Sequence, residues 1–422
     1  MKFKRKTLSN GLRIITIPMT DTPTVTVLVM VEAGSKYETK EISGLSHFLE
    51  HMCFKGTAKR PTALDLSREL DGIGSQYNAF TAEEYTGYYA KAAAKHAEKL
   101  LDVVSDLYLN PAFPEKEIEK EKGVIVEEIN MYKDLPHRHV QELFMSLMYG
   151  DQPVGWGIAG EPETVRAMDR GDFIKYRDRH YVAEATTVIV AGGFNEKKML
   201  AEISKRFADI PTAKKGKKAK VKDVQLAPAI LVEKRPTDQA HLVLGVRGFP
   251  IGSDKSPAAR LLNGILGAGM SSRLFQRLRE EMGVGYYVRS SYDTYTDHGM
   301  FTVSIGSDTK RVEEVVRAII DELRKMKTDL VPSEELVKTK EYLIGTMLLG
   351  LESSDSLAEF YGYQEVLNRP LKTPADIIKE IKSITSEDIR NIARKIFVNK
   401  NLNLAIVGPV ADQTSLKAAL KF

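Results

Sequence analysis

"DFIKYRDRHYVAEATTVIVAGG" runs from Asp172 to Gly193, and "DIRNIARKIFVNKNLNLAIVGP" runs from Asp388 to Pro409, 216 residues further on. At that shift Tyr181 falls on Phe397, Val182 on Val398, Val190 on Ile406 and Gly192 on Gly408. Upstream, Val165 falls on Ile381 and Met168 on Ile384. Each stretch reads as a helix, an aromatic-Val pair, an alternating strand and a glycine, and each leads to a further helix, "EKKMLAEISKRF" or "DQTSLKAALKF". Self-similarity of this kind means two copies of one fold in one chain.

Working outward, the most Lys-rich segment, "AKKGKKAKVKDVQ" (Ala213 to Gln225), lies between the copies and lacks apolar periodicity. It reads as a solvated linker and divides the chain into domains at 1–212 and 226–422. Alternating strands such as "TVTVLVMV" (Thr24 to Val31) and "HLVLGV" (His241 to Val246) mix with long helical patterns such as "AAKHAEKLLDVVSDLYL" and "KRVEEVVRAIIDELRKM". Regular βαβ alternation is missing, so the expected class is α+β: two homologous domains, each a mostly antiparallel sheet with helices packed on it. The opening "MKFKRKTLSNGLRIITIPM" has a short, alternating apolar part and an Asn10-Gly11 turn, which predicts a β-hairpin and not a signal peptide.

Bulk properties narrow the function. The chain has 422 residues, 43% hydrophobic and 28% charged, an ordinary globular balance. Its 61 basic and 57 acidic residues leave a formal charge of +4, with no basic stripe interleaved with aromatics, so nucleic acid is not an expected partner. No apolar run approaches the ~18 residues of a membrane-spanning helix. Cys53 is the lone cysteine, so no internal disulfide can form. These features together predict a cytoplasmic protein without a membrane anchor.

Chemistry concentrates in "GLSHFLEHMCFKGT", from Gly44 to Thr57. Leu45, Phe48, Leu49 and Met52 form a helical apolar stripe, with Ser43 as the expected cap. His47 and His51 are one turn apart, so both imidazoles can reach one ion, and Glu50 lies close enough to act on a water beside it. H-x-x-E-H is a zinc-site arrangement, the reverse of the commoner H-E-x-x-H. At the 216-residue shift the same positions hold Asn263, Leu266 and Gly267. A motif needed only for folding would recur, so its presence in one copy assigns the chemistry to the first half.

A third protein ligand is needed. The densest supply of carboxylates is "PEKEIEKEKGVIVEEINMYKD" (Pro114 to Asp134), where Ile118, Ile125, Ile129 and Tyr132 form the buried stripe. Glu121 and Glu128, seven residues apart, share a flanking face, whereas Glu127 points to solvent. Helical phase leaves Glu121 and Glu128 both open.

With these stretches in hand, the chain resembles the pitrilysin/insulinase family of inverted-motif zinc metallopeptidases, in the branch of mitochondrial processing peptidase and its short bacterial relatives. The resemblance covers most of the chain. "GLSHFLEHMCFKGT" is similar to the family's metal helix, and "EKGVIVEEIN" to the segment that supplies the third ligand about 75 to 80 residues downstream. The resemblance therefore implies Glu128 as ligand with His47 and His51, and Glu121 as a carboxylate beyond the ligands that orients Glu128. "QYNAFTAEEYTGYY" resembles the edge strand on which substrate backbone adds as a further strand, with Asn78, Ala79 and Phe80 at its centre. "MSSRLFQRLREEMGVGYYV" resembles the Arg/Tyr motif, whose Arg279 and Tyr286 contact substrate carbonyls. Without the resemblance Arg279 reads as a surface ion-pair partner and Tyr286 as core.

The implied activity is zinc-dependent endopeptidase cleavage of unfolded oligopeptides or small proteins, with one Zn²⁺ per chain and Glu50 as general base. Full-length relatives close a chamber from four domains and this chain carries two, so the resemblance implies a homodimeric clamshell. A heterodimer with a related subunit is the alternative, as is a non-catalytic scaffold. His137 and His139 in "DLPHRHV" read as loop residues, and His96, His180, His241 and His298 likewise carry no ligand role. Trp156 has none that its surroundings suggest.

Overall fold

Two sheets of the same design carry the fold. The computed structural model describes residues 3–410 and 413–422; Met1 and Lys2 of the opening hairpin and Asp412 of the closing helical segment lie outside them. In the first sheet, β1 (Lys4–Thr7), β2 (Arg13–Pro18), β3 (Thr24–Val31), β4 (Gln76–Thr81), β5 (Thr86–Ala93) and β6 (Thr186–Gly192) are ordered β1-β2-β6-β3-β5-β4. In the second, β7 (Ala229–Glu233), β8 (Gln239–Gly248), β9 (Val288–Thr294), β10 (Gly299–Asp308) and β11 (Asn403–Val407) are ordered β7-β11-β8-β10-β9. Each has one parallel pair, β2 with β6 and β7 with β11, and is otherwise antiparallel. Remove β1 and the two orders coincide, strand for strand. The fold is α+β, as the repeat predicts.

The helices obey the same shift. Helices Arg170–His180 and Ser386–Ile396 begin with capping boxes at Asp169 with Asp172 and at Thr385 with Asp388, each pair of positions 216 residues apart. Gly192 and Gly408, the glycines ending β6 and following β11, both have positive φ. In the first sheet, Val25, Val27, Val29 and Val31 pack on one helical layer together with Phe48, Leu100, Val104 and Phe173. In the second, Leu242, Leu244 and Val246 do the same with Leu262, Val316 and Ile319.

The compact units differ from the contiguous halves 1–212 and 226–422. One comprises 1–129, 157–219 and 348–373; the other comprises 130–156, 220–347 and 374–422. Each half thus gives a helix to the other's unit. Ser354–Val366 covers the free face of the first sheet: Arg13 and Arg5 bond Glu365, Thr26 bonds Ser354, and Gly362 lies against Met30, Leu28 and Ile189. Pro136–Tyr149 covers the second: Phe144 lies against Gly245, and Val140 and Met148 pack with Val243, Ala405 and Val407. Amphipathic periodicity says that a helix has an apolar face, not which sheet that face will meet. His137 and His139 therefore stand on this helix and not in a loop, with His139 Nε2 2.7 Å from Glu233 Oε2.

The Lys-rich segment lacks regular structure, yet it is strapped down and not a free linker. Lys218 Nζ is 2.7 Å from the buried Glu84, Lys215 Nζ is 2.6 Å from Glu32, and Gly216 lies on the His180 ring. Two carboxylates on the first unit accept the lysines that composition alone assigns to solvent. Among the described residues, no helix is long and apolar enough to cross a membrane.

Candidate active site

The metal-motif helix, α1 (Leu45–Cys53), begins at Gly44 and buries Leu45, Phe48, Leu49 and Met52 as the stripe requires. Its start is capped differently from the expectation at Ser43. Glu38, buried, accepts from Gly44 N at 2.8 Å and Ser46 N at 2.6 Å. Burial pushes Glu38 up to about 7, against the pull of those two donors. Ser43 instead offers its carbonyl to Thr164 Oγ1 at 2.8 Å. Gly44 has φ 98°, and a Cβ there would lie 2.5 Å from the Ala159 carbonyl oxygen, so only glycine lets the chain turn into the helix at this point.

The α1 imidazoles meet a second helix, α2 (Glu115–Asp134). His47 Nε2 and His51 Nε2 are each 3.7 Å from Glu128 Oε2. One donor atom from each of these three residues lies within 4.8 Å of the others. Tetrahedral zinc, with bonds of about 2.0–2.2 Å, holds its ligand atoms roughly 3.4 Å apart. The donor set suits that ion, and both His–Glu128 separations are within a few tenths of an ångström of its spacing. Glu127, one residue away, is exposed, as its helical phase requires.

The other open carboxylate has a different position. Glu121 Oε1 is 2.9 Å from His51 Nδ1, which fixes the proton on Nδ1 and leaves the Nε2 lone pair on the Glu128 side. Lys55 Nζ lies 2.6 Å from Glu121 Oε2. Burial pushes Glu121 upward, but the bonds from His51 and Lys55 outweigh it and hold the carboxylate below its ordinary range. His47 is pushed down to about 4 by burial and by neighbouring His51, against the attraction of Glu128. A neutral imidazole is the form that can donate to a metal.

Glu50 follows His47 by one helical turn less one residue, and burial pushes its carboxyl upward against a hydrogen bond from Thr81 and the charge of His51. Thr81 Oγ1 donates to Glu50 Oε2 at 2.5 Å. Thr81 ends β4, the last strand of the first sheet, so the sheet edge expected to receive substrate adjoins the metal-motif helix. Strand alternation divides the expected substrate residues. Ala79 packs in the core that includes α1, whereas Phe80 turns to the opposite face, against Tyr85, Tyr89 and Tyr363 at ring distances of 6.2, 6.5 and 6.0 Å. Asn78 shares the strand face of Phe80 and is exposed.

Arg279 and Tyr286 belong to the second unit and are brought together there. Arg279, in the π-helical stretch Gln276–Glu281, donates from Nη1 to the Tyr286 carbonyl at 2.7 Å and lies over the Phe275 ring. Tyr286 is 80% exposed, so the core reading of this side chain fails. Its neighbours in sequence, Gly283 and Gly285, have positive φ and carry the chain outward. Three contributors escaped the sequence: Glu38, Lys55 and Thr81. Only Thr81 had a local signal, its place two residues beyond Ala79 on a strand.

Residues 13–161 match the family model for insulinase (Peptidase family M16), and residues 167–343 match that for the Peptidase M16 inactive domain. The chain is 36% identical over 413 residues to the uncharacterized zinc protease YmxG of Bacillus subtilis (strain 168), covering 98% of this chain and 100% of that protein. It is 34% identical over 408 residues to an uncharacterized zinc protease of Rickettsia felis, covering 96% and 98%. Among solved structures, a protease from Helicobacter pylori aligns with a TM-score of 0.89 at 22% identity, over 96% of this chain and 99% of that one. A Peptidase M16 inactive domain from Pseudomonas fluorescens aligns with a TM-score of 0.90 at 18% identity, over 98% and 100%.

Proposed function

Because the chain belongs to the insulinase family of peptidases, Peptidase family M16, we propose that it is a zinc-dependent endopeptidase acting on unfolded oligopeptides or small proteins. The observation that carries this reading is the convergence of His47 Nε2, His51 Nε2 and Glu128 Oε2, with Glu121 fixing the His51 tautomer. These three residues would hold one Zn²⁺ per chain. Bound zinc supplies Lewis acidity toward the scissile carbonyl and makes water more acidic.

The chain's own groups do the rest. Glu50 takes a proton from the attacking water and delivers it to the leaving amine. The outer edge of β4 adds to the substrate backbone as a neighbouring strand, and Arg279 and Tyr286 contact substrate carbonyls. Two chains form the chamber, as a homodimer, which limits substrates by size and flexibility more than by sequence. The single, buried Cys53 supports a reducing, cytoplasmic setting.

The test compares parent and Glu50→Gln for bound zinc and for cleavage of an unstructured peptide. The expected result is unchanged zinc and lost cleavage. Undiminished cleavage removes Glu50 as base, and a parent that neither retains zinc nor cleaves removes the reading.

A further inference from the structure

We propose that Thr81 is a positioning residue for Glu50: its hydroxyl holds one carboxylate oxygen of the base and leaves the other for water. The inference rests on the endopeptidase reading above and adds to it a residue to which the edge-strand motif, as read from the sequence, assigns no role. Thr81 Oγ1 is 2.5 Å from Glu50 Oε2, the length of a strong hydrogen bond to a carboxylate. The Ser46 carbonyl, the competing acceptor, is 3.5 Å away, too far to hold the single hydroxyl proton. Among the described residues no other group hydrogen-bonds Glu50. The carboxylate is therefore oriented from one side only.

Thr81 can act this way because it is itself immobilised. It ends β4 opposite Thr86 of β5, and the turn beyond it is closed by Ala82 N donating to the Tyr85 carbonyl at 2.9 Å. The preceding loop clamps that turn. Ser35 N donates to the Ala82 carbonyl at 3.3 Å, and Lys36 N to the Glu83 carbonyl at 2.9 Å. A Cβ on Gly34 would stand 2.1 Å from the Ala82 oxygen, so backbone meets backbone directly. Lys36 Nζ then reaches Glu84 at 2.9 Å, with both side chains almost wholly buried, and Lys218 reaches the same carboxylate. A rigid support behind a catalytic group is what keeps its geometry within productive limits.

The strand that supplies this hydroxyl is also the one whose outer edge receives substrate in the proposed reading.

Thr81→Val keeps the branched shape and removes the hydroxyl; Thr81→Ser keeps the hydroxyl. With kcat and KM measured per bound zinc on an unstructured peptide, Thr81→Val is expected to lose about tenfold or more in kcat with KM changed less than about threefold. Thr81→Ser is expected to retain kcat within about threefold. The proposal is overturned if Thr81→Val matches the parent per zinc, or if Thr81→Ser is as impaired as Thr81→Val, since either result makes the hydroxyl irrelevant. If Thr81→Val fails to fold, Thr81→Ser decides alone: a kcat about tenfold or more below the parent per zinc overturns the proposal. Glu50→Gln run in parallel separates the two levels: active Glu50→Gln ends the endopeptidase reading, whereas inactive Glu50→Gln beside unchanged Thr81→Val ends this proposal alone.

Discussion

The two units share a sheet order, a capping box and a positive-φ glycine, but at the turn where the first carries His47, Glu50 and His51 the second carries Asn263, Leu266 and Gly267. Counted from the first residues of their helices, Glu121 and Glu128 fall on Thr339 and Thr346. All the donors are lost together. Leu266 is fully buried, and a Cβ on Gly267 would lie 2.2 Å from Ser290 Oγ. In the second copy Leu266 joins the core and Ser290 stands beside Gly267, so the fold does not require the polar cluster and the cluster has its own reason to exist.

Several experiments press on that contrast, beginning with the largest expected effect. Glu50→Gln should lower kcat by about a hundredfold or more while bound zinc, measured by elemental analysis, stays at the parent level. Grafting the motif into the second unit as Asn263→His, Leu266→Glu and Gly267→His should unfold that unit or cost it several kcal/mol, since it buries a carboxylate and forces Gly267 against Ser290. Chemical denaturation reads this, and a stable graft that binds a second zinc would erase the difference between the copies. Glu121→Gln should weaken zinc roughly 10- to 100-fold in competition with a chelator, because His51 loses its charged partner.

Smaller effects are expected away from the ion. Arg279→Ala combined with Tyr286→Phe should reduce kcat/KM by about tenfold with zinc unchanged. Mixed with Glu50→Gln chains, this variant should regain cleavage if a site draws on two chains; silence after proven subunit exchange speaks against the homodimer. The smallest concerns pH. In metal-free protein His47 is pushed down to about 4 from 6.5, so between those values the unfolded chain binds a proton that the folded chain does not. Stability contributed by this site is present above about 6.5 and is lost as pH falls toward about 4. Thermal midpoints of chelator-treated parent and His47→Gln should converge as the pH is lowered through that window.

What could be read in advance follows from the range of the forces involved. The repeat, the hairpin at Asn10-Gly11 and the α1 stripe are local patterns of period and turn chemistry, and they reappear in the structure. The His47/His51 pair is equally local, one helical turn. Separating Glu121 from Glu128 needs the distance between two helices, which helical phase does not contain. Sequence points to Ser43 as the cap on α1, whereas Glu38 reaches the helix start through space, from outside the helix. Ala79 and Phe80 share the edge strand expected to receive substrate, and strand alternation alone sends their side chains to opposite faces. Composition sends Lys215 and Lys218 to water because their carboxylate partners, Glu32 and Glu84, lie more than a hundred residues away in sequence.

The reciprocal placement of Ser354–Val366 and Pro136–Tyr149 also dictates an order of assembly. During synthesis the face of the first sheet that holds Leu28, Met30 and Ile189 is complete once β6 has emerged, but its cover is made more than 150 residues later. At ~5–20 residues per second that interval lasts on the order of ten seconds. Throughout it a nascent chain displays an apolar β-surface that a chaperone can hold and a second nascent chain can stick to. Cutting the chain at the Lys-rich segment would part each sheet from the helix that covers it, and would make that exposure permanent.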